Sequence, residues 1–470
     1  MLVLKRTSVR RAAVAALVLT MPLTAPLFSG LLMAPGVLPG FLGAAPAFAQ
    51  DAPPAADAKT PDAAIPDTKA PAAKTTPDAA AAPEANTAAK ADSKPILEIK
   101  ALYVRQDREQ PLPLSLLDLP AADNGIAGAN LAIADNNTTG KFLNQSFKLD
   151  VIESNDVDDI IKQAKQQIAS GANYIVADMA PDALLKFADA LAAEPAIIAN
   201  VGSPDDTLRE ENCRANVIHI SPTRTMLADA LGQYLSWKQW RNWFLVSGTR
   251  PEDKALADAF RRAAKRFGSK IGDEREFAYD SGSRRSDGGF EQVQQQIPQF
   301  MQNAKDHDIV VVADEGQLFA DYMPYRTWIP RPVAGSAGLT ASSWHPALEL
   351  WGATQFQNRF RRLNNRMMST LDYDSWLAVR VIGEAASRKQ TSDYKVLSAF
   401  IHSPEFEVAA FKGVKTTLRA WNGQLRQPLI VSGAKLLVSI SPQPGFLHQF
   451  TELDTLGIDR PETKCKAYAK

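Results

Sequence analysis

Residues 168–203 read IASGANYIVADMAPDALLKFADALAAEPAIIANVGS, and this stretch decides the fold that the sequence predicts. Residues 174–177 are a short, apolar run typical of a buried strand, and residues 181–191 carry apolar side chains at helical spacing. Residues 196–199 form a second strand-like run. Strand, helix and strand in this order make a βαβ unit, so we expect two parallel strands joined by a right-handed crossover.

Polar side chains follow both strands of this unit at the point where each strand ends. Asp178 comes directly after the first strand, and Asn200 and Ser203 follow the second. In an open parallel sheet, ligands bind beyond the carboxyl ends of the strands. We therefore expect these three residues at a binding site. The alternative is that they only form turns and cap helices.

The alternation of strand and helix continues on both sides of this unit. Buried-strand patterns recur at residues 99–104, 147–152, 217–220, 243–246, 270–277 and 309–312. Helical patterns separate them, and two further helices are expected at residues 354–366 and 373–386. Two successive sets of this kind, each about the size of a domain, predict an α/β protein with two lobes built on parallel sheets.

The N-terminal region resembles a secretory signal. Residues 1–49 combine four early basic residues, an apolar run and a small-residue cleavage site at 47–49. The alternative is an uncleaved membrane anchor. Residues 50–94 are mostly Ala, Pro, Asp, Lys and Thr, so we expect a disordered linker because this composition buries too little apolar surface.

Charge excludes several classes of partner. The chain has 52 basic and 52 acidic residues, and removal of the predicted signal would leave 48 basic residues. Such a balance provides no basic surface for nucleic acid or for an anionic membrane. No stretch after the signal approaches the ~20 apolar residues of a membrane helix.

The chain has only two cysteines, Cys213 and Cys465. Outside the cytosol, two thiols tend to pair, so the sequence favours a disulfide that fastens the C-terminal tail to a distant loop. The alternative is two unrelated buried thiols.

The common catalytic and cofactor motifs are missing from the sequence. It contains no Gly-Lys-Ser phosphate loop, no dinucleotide Gly-x-Gly-x-x-Gly and no His-Glu-x-x-His zinc motif. A calcium-like run from Asp135 has Ser146 where the bidentate Glu should stand. We therefore expect no enzyme activity, no resident cofactor and no metal site.

Three further residues are candidates for a pocket wall. Asp314 and Glu315 end the most strand-like run of the chain, at the same kind of position as Asp178. Trp344 lies in a loop-rich segment where it could stack on a ligand. The alternative for the acidic pair is a solvated turn.

The order of these motifs resembles the type I periplasmic solute-binding proteins of ABC importers, the branched-chain amino-acid-binding kind, over residues 95–450. Residues 125–133, GIAGANLAI, resemble that family's first helix. Residues 243–246 with the helix at 251–268 resemble the opening of its second lobe, and residues 373–376, YDSW, resemble part of its late helix pair. The resemblance implies two parallel-sheet lobes joined by hinge crossings.

Three shorter stretches resemble a narrower subgroup, the binding protein linked to PQQ-dependent alcohol dehydrogenase systems. They are residues 219–223 (HISPT), 226–231 (MLADAL) and 425–428 (LRQP). That subgroup goes with an ABC permease and ATPase in alcohol-oxidising bacteria.

The resemblance implies that the two lobes close on a small ligand and that the closed form docks on the permease. Carried over by position, and with Trp344 added, the predicted ligand-binding residues are Asp178, Met179, Ala180, Asn200, Ser203, Ser221, Thr223, Asp314, Glu315 and Trp344. Relatives present hydroxyl and backbone N–H groups to a ligand carboxylate, whereas Asp178 would repel one. An amino acid, a polyol, an alcohol-derived compound, a quinone cofactor and a chelated metal ion all remain open as ligands.

The resemblance also implies an organisation and a set of partners. We expect residues 95–222 and 340–398 in lobe 1, residues 223–339 and 399–450 in lobe 2, and a tail at 451–470. The implied protein is a periplasmic monomer that serves a permease and an ATPase, with no nucleic-acid partner and no stable membrane insertion. The alternative is a periplasmic ligand sensor or accessory factor of a quinoprotein dehydrogenase with the same fold.

Overall fold

A computed structural model describes residues 96–109, 119–279 and 289–468. The predicted signal and linker lie outside these residues. The strands, numbered in chain order, are β1 (Leu97–Gln106), β2 (Gln145–Ser154), β3 (Tyr174–Asp178), β4 (Ile197–Asn200), β5 (Val217–His219), β6 (Asn242–Ser247), β7 (Lys270–Glu276), β8 (Ile309–Ala313), β9 (Val333–Gly335), β10 (Thr340–Ser342), β11 (Val408–Ala409), β12 (Lys415–Leu418), β13 (Leu425–Arg426), β14 (Leu429–Gly433) and β15 (Leu436–Ser441).

The helices are numbered in the same way. They are α1 (Ile126–Leu143), α2 (Val157–Ala169), α3 (Pro181–Ala190), α4 (Arg224–Trp237), α5 (Pro251–Arg266), α6 (Gly289–Met301), α7 (Met323–Arg326), α8 (Ala353–Asn364), α9 (Thr370–Lys389) and α10 (Tyr394–Ile401). None of the helices in the described ranges is long and apolar enough to cross a membrane.

Lobe 1 is built on a five-stranded parallel sheet in the order β2-β1-β3-β4-β5. Alternate residues of β1 enter different cores, as the two-residue period of a strand requires. Ala101 and Tyr103 face the core formed with α1, α8 and α9, and Leu102 and Val104 face the core formed with α2 and α3. The βαβ unit predicted from residues 168–203 is therefore confirmed at the centre of this sheet.

Helix α1 lies very close to helix α9 in the first of these cores. A Cβ atom added to Gly128 would lie 1.8 Å from the backbone oxygen of Asp372, so only glycine permits this approach. The N-terminal end of α1 is held as well, since Gly125 donates its backbone N–H to Asp372 Oδ1 over 2.8 Å.

Lobe 2 is built on a four-stranded parallel sheet in the order β7-β6-β8-β9. Strand β6 repeats the alternation seen in lobe 1. Trp243 and Leu245 pack with α4 and α5, whereas Phe244 and Val246 pack with a second core that includes Met323 of α7. The two-lobed α/β architecture with parallel sheets and flanking helices agrees with the fold class that the sequence predicts.

Two small antiparallel sheets accompany the parallel ones. The first has the order β10-β14-β15, and the second has the order β11-β12-β13. Residues 429–431 and 436–440 are apolar runs typical of strands, and β14 and β15 lie there. Their antiparallel pairing was not predicted, because hydrophobic runs give the position of a strand but not the direction of its partner.

The C-terminal part of the chain contacts the lobe 1 core before it enters lobe 2. Residues 399–426 were expected in lobe 2, but Phe400, Phe406 and Leu425 are buried in the lobe 1 core. Strand β14 contacts both cores, since Ile430 is buried in the lobe 1 core and Val431 in the core formed with α4 and α5. Strand β10, which was expected in lobe 1, pairs with β14, with Ala341 opposite Val431.

The C-terminal tail, residues 451–468, contacts both lobes. Cys465 forms the predicted disulfide with Cys213 of lobe 1, with a distance of 2.02 Å between the two Sγ atoms. Glu210 Oε2 of lobe 1 accepts a hydrogen bond from the Lys464 backbone N–H over 2.6 Å. Across lobe 2, the Gly457 backbone N–H donates to Asp229 Oδ2 of α4 over 2.8 Å.

Two arginines of α5 hold the tail against lobe 2. Arg262 and Arg266 both pair with the buried carboxylate of Asp229, at 3.0 and 2.8 Å. Both also donate to the Gly457 carbonyl oxygen. The tail is therefore tied covalently to lobe 1 and through an ionic cluster to lobe 2.

Candidate functional site

A cleft between the two lobes contains three adjoining cavities, which share Pro204 of lobe 1 and Gln317 of lobe 2 in their walls. The central cavity has a volume of about 500 Å³ and is lined by both lobes. A lobe-2 cavity of about 200 Å³ lies beside it, and an outer cavity of about 950 Å³ extends from it past Arg108.

The central cavity lies beyond the carboxyl ends of the lobe 1 strands. Asp178 ends β3, and residues 201–204 and 221–222 follow β4 and β5. The register places Ala177 opposite Asn200 and Asn200 opposite His219, so these ends meet at one edge of the sheet. This is the position at which open parallel sheets bind ligands.

Asp178 is paired within the cleft. Its Oδ1 atom lies 2.7 Å from Nη2 of Arg108, and the aspartate is 4% exposed. Burial raises the pKa of Asp178, and the charge of Arg108 offsets part of that rise. A Cβ atom added to Gly202 would lie 2.2 Å from Asp178 Oδ1, so the turn after β4 needs glycine to leave room for this pair.

Asn200 holds the turn after β4 in place. Its Nδ2 atom donates to the Ser203 carbonyl oxygen over 2.8 Å, and its Oδ1 atom accepts from the Ser203 backbone N–H over 3.0 Å. Nδ2 also lies 3.2 Å from His219 Nδ1. Asn200 does not line any of the three cavities, whereas Ser203 lines the outer one.

A buried arginine, Arg209, holds the loops that follow β4 and β5. Arg209 donates to the carbonyl oxygens of Ser203 and Ser221, at 2.8 and 3.0 Å, and to Gln424 Oε1 at 2.9 Å. Ser221 lines the central cavity. Thr223 instead caps α4, because its Oγ1 atom accepts a hydrogen bond from the Met226 backbone N–H over 3.0 Å.

Met179 and Ala180 occupy different surroundings although they are adjacent. Met179 is fully buried in the core between the lobe 1 sheet, α2 and α3, and lines none of the three cavities. Ala180 lines the outer cavity, and its backbone N–H donates to Gln106 Oε1 over 3.0 Å.

Asp314 and Glu315 both line the lobe-2 cavity. Asp314 Oδ2 accepts backbone hydrogen bonds from Phe319 and Ala320, at 2.7 and 2.8 Å. Burial raises the pKa of Asp314, and these N–H donors counteract the rise. Asp314 therefore organises the loop after β8.

Glu315 belongs to an ion network that reaches both lobes. Arg224, the first residue of α4, donates to both Glu315 carboxylate oxygens and lies 2.9 Å from Asp205 Oδ2 in lobe 1. Burial opposes the ionisation of Asp205, but hydrogen bonds from Thr207 and Arg224 hold its pKa below its usual range. Arg224 thus joins a lobe 1 loop to a lobe 2 loop at the floor of the cleft.

Trp344 lines the central cavity at one edge of an aromatic cluster. Its ring stacks on Tyr373, with ring centroids 4.9 Å apart and an interplanar angle of 10°. Phe356 meets Trp344 edge-on at a centroid distance of 5.3 Å. The tryptophan is 2% exposed, so it forms a fixed wall of the cavity.

Several charged residues that line the cleft were not predicted as site residues, among them Arg108, Asp374 and Arg224. Arg108 and Asp374 line the central cavity, and Arg224 lines the other two. The sequence could have identified Asp374, because it is a carboxylate on the apolar face of a predicted helix. A buried carboxylate needs a partner, so such a position indicates a specific role. No local pattern identifies Arg108 or Arg224, because their partners are distant in the sequence.

The arrangement offers hydroxyl groups, a paired carboxylate, backbone groups and apolar walls to a small molecule. Within residues 96–109, 119–279 and 289–468, no group of three or more His, Cys, Asp or Glu side chains could hold a metal ion. A cleft of this kind, formed by two lobes around pre-positioned polar groups, is suited to binding a small ligand.

A family model described as a periplasmic binding protein matches residues 120–435, which is more than half of the chain. This chain belongs to the periplasmic binding protein family. A comparison with curated protein sequences finds no match.

Solved structures of periplasmic binding proteins share the fold. A periplasmic binding protein from Burkholderia mallei is 16% identical and matches with a TM-score of 0.57, covering 79% of this chain and 99% of that one. A branched-chain amino acid ABC transporter ligand-binding protein from Burkholderia xenovorans is 16% identical, with a TM-score of 0.59 and coverage of 73% and 95%. A leucine-, isoleucine-, valine-, threonine- and alanine-binding protein from Brucella ovis is 14% identical, with a TM-score of 0.58 and coverage of 80% and 99%.

Proposed function

We propose that this periplasmic binding protein is the substrate-binding component of an ABC transporter and captures a small ligand in the central cavity. The observation that carries the proposal is the cavity itself, about 500 Å³ in volume and lined by the strand ends of lobe 1 and by residues 340–345 where the chain leaves lobe 2. A ligand that contacts both lobes stabilises their closed arrangement, because it adds contacts in that arrangement alone. Solved relatives with this fold are named as ABC transporter ligand-binding proteins.

The predicted site residues divide into two roles under this proposal. Asp178, Ser221 and Trp344 line the central cavity and would contact the ligand. Asp314 and Glu315 would close the cavity from lobe 2. Ala180 and Ser203 lie at the outer entrance, and Met179, Asn200 and Thr223 would position the loops without touching the ligand.

We further propose that the ligand and the transporter belong to an alcohol-oxidising system. The resemblance of residues 219–223, 226–231 and 425–428 to the subgroup linked to PQQ-dependent alcohol dehydrogenases supports a ligand tied to alcohol oxidation. The protein would be exported by cleavage of residues 1–49, would act as a monomer in the periplasm, and would deliver its ligand to a permease and an ATPase. It would act by binding and release, without catalysis and without a resident cofactor.

A mass measurement tests the proposal directly. The protein is taken gently from its own periplasm, and its mass under native conditions is compared with its mass after denaturation. We expect a mass excess that denaturation removes, and a reduced occupancy in a Trp344→Ala variant. Trp328 is exposed and lines none of the three cavities, so Trp328→Ala provides a matched control. Equal native and denatured masses in the wild-type protein would argue against a tightly held ligand.

A genetic measurement separates transport from sensing. Deletion of the gene should abolish uptake of the recovered ligand while its oxidation by cell extracts continues. If uptake continues and only ligand-dependent gene expression or dehydrogenase activity is lost, the protein acts instead as a sensor or accessory factor.

A further inference from the structure

Within the described residues, and apart from the C-terminal tail, three segments of the chain pass between the lobes. In the first crossing, residues 220–223, the chain leaves the lobe 1 core at Ile220 and enters α4 of lobe 2. In the second, residues 342–344, it leaves Ala341 at the lobe 2 core and reaches Trp344 in the lobe 1 core. The third crossing, residues 427–431, leads into β14, which contacts both cores.

The three crossings are linked to one another. Strands β10 and β14 pair antiparallel, with Ser342 opposite Ile430, so the second and third crossings run side by side. Gln427 of the third crossing donates from Nε2 to the Ile220 carbonyl oxygen of the first over 2.9 Å. A movement of one lobe relative to the other therefore bends the crossings together.

A buried lysine joins two of these crossings. Lys412 is 2% exposed and follows Phe411, whose ring stacks on Phe356 of the lobe 1 core at a centroid distance of 4.5 Å. Lys412 Nζ donates to the Ser343 carbonyl oxygen of the second crossing and, over 3.0 Å, to the Pro428 carbonyl oxygen of the third. Both acceptors are main-chain atoms, so these contacts fix the path of the backbone.

The charge of Lys412 is balanced within lobe 1. Asp374 of α9 attracts the ammonium group, which also lies 5.0 Å from the centroid of the Tyr373 ring. The Ser343 hydroxyl group lies beside the same carboxylate. Replacement of a buried ion pair by apolar residues is often neutral or stabilising, so stability alone does not explain a charged residue here. Its contacts with two crossings provide a specific reason.

We infer that Lys412 is a positioning residue for the lobe movement, because it fixes the lobe 1 ends of the second and third crossings. The bend then takes place on the lobe 2 side of Ser343 and Pro428. The inference rests on the proposed function, since capture of a ligand in the cleft requires that the lobes move. Ser343 and Asp374 line the central cavity, so the same contacts keep the crossings and the cavity wall in one unit.

Hydrogen exchange of the unliganded protein tests this inference. Lys412→Met alone leaves Asp374 buried without its partner and can prevent folding, so it is combined with Asp374→Asn and compared with Asp374→Asn alone. In the double variant, the backbone amides of residues 342–344 and 429–431 should exchange about 10- to 100-fold faster, the change in local opening expected from loss of a hydrogen bond to a charged group. The amides of β3 should not change.

A distance measurement reports the lobe movement itself. Spin-labelled noncanonical residues replace Phe142 of α1 and Tyr325 of α7, which are exposed on lobe 1 and lobe 2. Pulsed electron paramagnetic resonance should give a broader distribution of distances between the lobes in the double variant than in Asp374→Asn. Arg380→Met is the control, because Arg380 donates to Asn136 Oδ1 and joins α9 to α1 within lobe 1. This control should leave the distribution unchanged.

The outcomes separate this inference from the proposed function. Unchanged exchange in the two crossings, or equal acceleration throughout lobe 1, would overturn the inference, and so would faster local exchange without a broader distance distribution. Neither measurement uses a ligand, so these outcomes leave the binding function standing. Equal native and denatured masses of the protein from its own periplasm would instead count against the binding function and leave the measured effect of Lys412 intact.

Discussion

Arg224 and Glu315 face each other at the floor of the cleft, with Nε 2.5 Å from Oε2 and Nη2 2.8 Å from Oε1. The same guanidinium group pairs with Asp205 of the other lobe. Two-point contact of this kind depends on the planar fork of arginine and is not reproduced by lysine. The pair therefore fixes the lobe 2 loop after β8 relative to the lobe 1 loop after β4.

We expect Arg224→Ala to lower the free energy of unfolding by about 1–3 kcal/mol, because it leaves two partly buried carboxylates without their partner. Thermal or urea unfolding of the unliganded protein measures the change. Arg331 forms an exposed pair with Asp306 and provides the control. Arg331→Ala should change stability by less than about 0.5 kcal/mol. Equal effects of the two substitutions would contradict a special role for Arg224.

Asp178 and Asn200 were both expected to contact the ligand, and the structure gives them different surroundings. Asn200→Ala should lower the stability of the unliganded protein by about 1–3 kcal/mol, since it removes both hydrogen bonds that close the turn to Ser203. Asp178→Ala should weaken ligand binding with little change in melting temperature, because Arg108 is partly exposed and can be hydrated. Melting curves and calorimetry with the recovered ligand distinguish the two effects. A stable Asn200→Ala protein with lost affinity would reverse this assignment.

Stability should depend on pH through Asp374. Burial raises its pKa from the ordinary value of 3.8 to about 7, so the folded protein binds more protons than the unfolded chain between these values. The wild-type protein should therefore lose stability relative to Asp374→Asn as pH rises from about 4 to about 7, by at most about 4 kcal/mol. Urea unfolding at both ends of this range measures the difference.

Asp150→Asn serves as the control for the pH experiment, because Asp150 is exposed. Its stability should follow that of the wild-type protein across the range. A wild-type protein that gains stability relative to Asp374→Asn as pH rises would show that folding lowers the pKa of this carboxyl group.

The disulfide should contribute measurably to stability. It joins residues 252 positions apart, and loops of this length give large chain-entropy effects. Cys213→Ser with Cys465→Ser should lower the free energy of unfolding by about 2–5 kcal/mol. The unfolded, unreduced wild-type protein should show no reactive thiol, and two titratable thiols would refute the bridge. Reduction before unfolding should reproduce the effect of the double substitution.

The sequence predicted the central elements of lobe 1 well, for a physical reason. Strands β3 and β4 are buried on both faces, so their residues form uninterrupted apolar runs that end where the polar loops begin. Pro181 marks the start of α3, where its missing N–H has no cost. The pairing of Cys213 with Cys465 followed from there being no other cysteine in the chain.

The sequence was less informative about contacts between residues that are far apart in the chain. Strands β11–β13 have only two to four residues each, too few for a pattern that would indicate which core they join. Arg224 and Glu315 are 91 positions apart, and nothing local to either residue indicates the other. The polar residues at strand ends were found, but which of them face the cavity depends on side-chain directions that only the three-dimensional structure shows.

The tail that connects Cys213 of lobe 1 to Asp229 of lobe 2 also bears on how far the cleft can open. If the lobes move apart, as the proposed function requires, the tail resists any separation of these two anchors, because its anchor in lobe 1 is covalent. The tail therefore limits how far the two lobes can move apart. Substitution of Arg262 or Glu462 would weaken the ionic contact between the tail and lobe 2. The lobes could then move further apart, which would change ligand release without altering a residue that lines the cleft.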